Sequence, residues 1–99
     1  TFNEVRAKFR DYAVLGYSGA GIVLEKHPTV TGLEIGQRVA YGGEGTGHGE
    51  TINVGRNLIA RVPENVSFQE ACFTTLGAIA MNSVRLAEIN IGDTVAVVG

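Results

Sequence analysis

With 99 residues, 44% of them hydrophobic and 18% charged, the chain has room for one domain with a modest core and lacks the composition of a disordered tail. Ten acidic residues against eight basic ones, with no basic cluster, argue against nucleic acid or an anionic membrane surface as the main partner. A single cysteine excludes an internal disulfide and an all-cysteine metal site, and no apolar run is long enough to span a bilayer. The expected location is therefore a reducing cytoplasm.

Residues Asn3 to Asp11, NEVRAKFRD, carry charges with Val5, Ala7 and Phe9 between them. They read as a short helix, or else as a solvated lead-in. Gly19, Ala20 and Gly21 permit close backbone approach or a bend before a strand over Ile22, Val23 and Leu24, which the Lys26-His27-Pro28 stretch ends. Gly32 and Gly36 punctuate a turn ahead of a second strand, Arg38 to Tyr41. The following GGEGTGHG, with five glycines in eight positions, is a loop. It lacks the lysine and the flanking helix of a phosphate-binding loop. Thr51 to Val54 alternate as a half-buried strand does, and Leu58 to Val62 form another, closed by Pro63.

Ser67 with Glu70 three residues later is the signature of a capping box, opening a helix that runs to about Ala87 or Glu88. That helix is apolar nearly all round, through Ala71, Cys72, Phe73, Leu76, Ile79, Ala80 and Val84, which predicts burial between two bodies. Gly77 inside it costs about 1 kcal/mol against alanine and so predicts close packing there. Asn90 to Asp93 form a turn, and Thr94 to Val98 read as a strand buried on both faces, as in a parallel sheet. The chain opens on Thr1 and ends on that apolar stretch, and the expectation is a fragment of a longer polypeptide.

The collinear series GAGIVLE, VTGLEIGQRVA, NLIARVPENVSFQEA and IGDTVAVVG resembles the medium-chain dehydrogenase/reductase superfamily, covering roughly Leu15 to Gly99. LGYSGAG with FTTLGAIA is similar to a sub-branch of bi-domain oxidoreductases. The resemblance implies a mainly β fold: part of a GroES-like catalytic barrel over residues 1–66, a linking helix over 67–90, and the start of a Rossmann nucleotide-binding domain over 91–99. It also implies NAD(P) as cofactor, hydride transfer to or from a small carbonyl or alcohol substrate, and a homo-oligomeric parent. The isolated chain is expected to be inactive.

Zinc members of that superfamily carry Gly-His-Glu where this chain has Gly16-Tyr17-Ser18, and the resemblance aligns Thr75 with a later ligand cysteine. Neither replacement is an ordinary zinc ligand, so no metal is expected. Tyr17 and Thr75 then become candidates for hydroxyl donors to a developing oxyanion. By the same resemblance Thr74 and Thr75 would lie near the nicotinamide, and Gly99 under the pyrophosphate. Set against this, Tyr17 reads as a packed aromatic, Cys72 as a buried inert thiol, and His48 as a solvent-facing side chain. The competing functional readings are a non-catalytic barrel serving as a binding or structural module, and a quinone or enoyl reductase of the same superfamily.

Overall fold

The computed structural model describes residues 15–98. The helix expected near Asn3 to Asp11 and the position of Gly99 lie outside the described residues. Three strands, β1 (Ser18–Ile22), β2 (Arg38–Gly42) and β3 (Ile59–Arg61), form one antiparallel sheet in the order β1-β2-β3. A 3-10 turn, Arg56–Leu58, leads into β3, and two helices follow, α1 (Phe68–Ala71) and α2 (Thr74–Leu86). Strands first and helices after is the order expected from the sequence. Among the described residues β1 and β3 stand at the edges of the sheet, and no barrel is closed.

β1 is SGAGI: Gly19 to Gly21, expected to precede the strand, lie within it, and of the expected Ile22 to Leu24 only Ile22 belongs to it. The register explains why small residues belong there. Gly19 faces Tyr41, and a Cβ on Gly19 would meet the Tyr41 hydroxyl at 2.5 Å and its ring carbon at 2.6 Å. The tyrosine ring fills the space over the glycine, which turns a weak strand residue into a packing site. Ala20 pairs with Ala40, which pairs in turn with Ala60 across β3. Val39 and Ala40 on the central strand are buried, and with Leu33 and Ala71 they make up the small core.

The long connection between β1 and β2 is held by its own turns. Gly32 and Gly36 both adopt positive φ, and Gln37 donates its backbone N–H to the Glu34 carbonyl at 3.1 Å. Arg61 reaches back to the Gly32 carbonyl at 3.0 Å, and Arg56 to that of Thr31 at 3.2 Å.

The capping box forms as expected. The Ser67 hydroxyl accepts from the Glu70 N–H at 3.2 Å, and the Glu70 carboxylate accepts from the Ser67 N–H at 2.8 Å. The helix it opens is not continuous, because a turn at Cys72 and Phe73 divides it. α2 ends at Leu86, and Glu88 takes a left-handed backbone with φ of 49° just beyond the cap. The Asn90 to Asp93 turn is present, its two ends joined by the Asn90 N–H donating to the Asp93 carboxylate at 2.7 Å.

Four expectations are corrected. Thr51 to Val54 keep an alternation of exposed and half-buried residues but pair with no strand among the described residues. Thr94 to Val98 likewise form no strand, and Val97 and Val98 are exposed. The helix expected to be buried has no buried residue in α2: it meets the sheet at β1 and β2, and Leu76, Ile79, Met81, Val84 and Leu86 are left exposed. Gly77 has open space where a Cβ would stand, so close packing is not what placed it. Among the described residues no helix is long and apolar enough to cross a membrane.

Candidate functional site

Of the residues singled out from the sequence, Tyr17, Thr74 and Thr75 lie at one corner, where β1 begins, β2 ends and the helices start. Beyond the paired strands, the Gly43 N–H donates to the Tyr17 carbonyl and the His48 N–H to that of Leu15, each at 2.9 Å. These bonds draw the glycine-rich loop alongside residues 15–17. The loop then anchors itself: buried Thr46 donates its hydroxyl to the Gly43 carbonyl at 2.7 Å.

The helices are tied to this corner by two hydroxyls. Ser18 donates to the Cys72 carbonyl at 2.5 Å, at the turn that divides α1 from α2. Thr75 donates to the Tyr41 carbonyl at 3.1 Å. Gly42 makes the second bond possible, since a Cβ there would collide with the Thr75 side chain. Thr74 donates to the Ala71 carbonyl at 2.7 Å, a local bond within the helical turn.

The structure thus brings Tyr17, Thr74 and Thr75 to one corner, with different prospects for chemistry. The Thr74 and Thr75 hydroxyl protons are engaged by backbone carbonyls, and an engaged donor cannot serve a developing oxyanion without giving up that bond. Tyr17 is 45% exposed, and among the described residues its hydroxyl has no hydrogen-bond partner. His48 is exposed, with its ring against Gly16. Cys72 is half-buried, and its thiol donates to the Gln69 carbonyl at 3.0 Å. Among the described residues no group of three His, Cys, Asp or Glu is placed to hold a metal ion, and no buried side-chain polar atom lacks a partner. Among the described residues the one buried polar side chain, Thr46, is spent on the fold.

A second cluster was not singled out from the sequence. The Arg38 guanidinium donates to the carbonyls of Pro63 at 3.2 Å, Glu64 at 3.3 Å and Val66, and lies 4.7 Å from the Phe68 ring centroid. It collects the carbonyls of the segment entering α1 and stacks on that helix's first residue, a use of the planar fork that lysine cannot reproduce. No local pattern marks an arginine within RVA as such a clamp. The resemblance places Ser18 in the stretch that replaces the zinc-binding Gly-His-Glu, whereas the partner that gives it a role lies 54 positions away at Cys72.

Comparison with known proteins changes the functional expectation. The chain is 33% identical over 86 residues, 85% of its length, to a highly reducing polyketide synthase of Cladosporium cladosporioides. It is 36% identical over 85 residues, 84% of its length, to a phenolphthiocerol synthesis type I polyketide synthase of Mycobacterium bovis. A Mycobacterium tuberculosis protein, named a "putative inactive" phenolphthiocerol synthesis type I polyketide synthase, matches equally, at 36% over 85 residues. The chain spans 4–5% of the length of these relatives. No family model matches the chain, and no solved structure does.

These similarities overturn the medium-chain dehydrogenase/reductase resemblance, and with it the zinc-independent NAD(P)-dependent oxidoreductase. Neither the quinone or enoyl reductase nor the free-standing barrel module fits the relatives better. The motifs that carried the resemblance are glycine turns, short strands and a capping box. Such features report local backbone requirements, which unrelated activities share.

Proposed function

We propose that this chain is a structural segment of a polyketide-synthase-type polypeptide, a sheet-and-helix support whose side chains hold architecture. The observation that carries the proposal is identity of 33–36% to polyketide synthases along 84–85% of the chain. The engaged hydroxyls of Ser18, Thr46, Thr74 and Thr75 support the structural part of it. So do the exposed apolar residues spread round α2, where Ile79 is 53% exposed, Met81 62% and Leu86 75%. An apolar surface of that extent marks a contact with other protein. In the proposal that contact is made within the longer polypeptide, which acts on the small-molecule substrate. NAD(P) does not enter this proposal.

The test is product analysis by mass spectrometry. The purified polypeptide that carries this chain is expected to form a polyketide, and the 99-residue chain alone to form none. A folded carrier polypeptide that forms no polyketide, or turnover by the chain alone, would overturn the proposal.

A further inference from the structure

We draw no further inference here: the strongest candidate, the exposed apolar face of α2 together with the Ile91 to Val98 stretch, belongs to the reading already proposed, and nothing in the structure shows which segment covers it.

Discussion

Gly42 and Thr75 share one volume, and their pairing fixes where the helices meet the sheet. Replacing Gly42 by alanine forces the threonine out and removes its bond to Tyr41, an overpacking cost of about 1–3 kcal/mol. Thr75→Ala alone should cost about 1 kcal/mol, the usual net worth of one hydrogen bond. Because both changes act on the same contact, their effects should not add. Urea unfolding of the two single variants and the double variant checks this, and additive costs would mean that the contact is absent. Arg38→Lys is expected to lose about 1–3 kcal/mol through the unmatched carbonyls of Pro63, Glu64 and Val66. The resemblance makes Thr75 a candidate hydroxyl donor to an oxyanion, whereas its hydroxyl donates to a carbonyl 34 positions earlier. Nothing local encodes that distance. The same holds for Ser18 and Arg38, whose partners become neighbours only once the sheet has formed.

Helix punctuation was the most legible feature, because each capping group acts within a turn of itself. Ser67 and Glu70 carry their own geometry, and Ser67→Ala should cost about 1 kcal/mol. The backbone N–H of Ser67, and next its hydroxyl, hold the Glu70 carboxyl below its ordinary value of 4.5. Since folding lowers this pKa, the contribution is complete above about pH 4.5 and is lost as pH falls through the lower folded value. Glu70→Gln should flatten that acid limb, as followed by circular dichroism between neutral and acidic pH. Two glycine questions point in opposite directions. Gly77→Ala, into open space, should stabilise α2 by about 1 kcal/mol. Glu88→Gly should also stabilise, by up to about 1 kcal/mol, because Glu88 holds a positive φ that glycine adopts freely. Thermal unfolding reads both changes. Strands were less legible than helix ends. The predicted β2 matches the observed strand within a residue, but Thr51 to Val54 show the alternation of a strand and pair with none among the described residues. A periodic pattern records which side chains seek burial, and pairing depends on what another segment offers.

On the scale of the whole molecule, apolar content exceeds what this fold buries. The buried hydrophobic core is Leu33, Val39, Ala40 and Ala71, while Phe73, Leu76, Ile79, Met81, Val84 and Leu86 are exposed along the helix. The radius of gyration is 16.9 Å, against about 13 Å for a compact domain of 100 residues. The sequence predicts a helix buried between two bodies, and the structure leaves its apolar residues exposed. The glycine-and-strand pattern pointed to a dehydrogenase, whereas the relatives are polyketide synthases.

A substitution on α2 separates the two environments. In the isolated chain Ile79 is half exposed, so Ile79→Asp should change unfolding free energy by about 0.5 kcal/mol or less. In the carrier polypeptide the same change would place an unpaired charge at a buried contact, a costly substitution. The decisive measurement is the rate of polyketide formation by that polypeptide with Ile79→Asp, beside Tyr17→Phe as a comparison. A rate lost with Ile79→Asp and kept within about twofold with Tyr17→Phe is the predicted result, since about 0.4 kcal/mol separates a twofold change from none. An unaffected rate with Ile79→Asp, or a rate abolished by removing only the Tyr17 hydroxyl, would contradict the structural role.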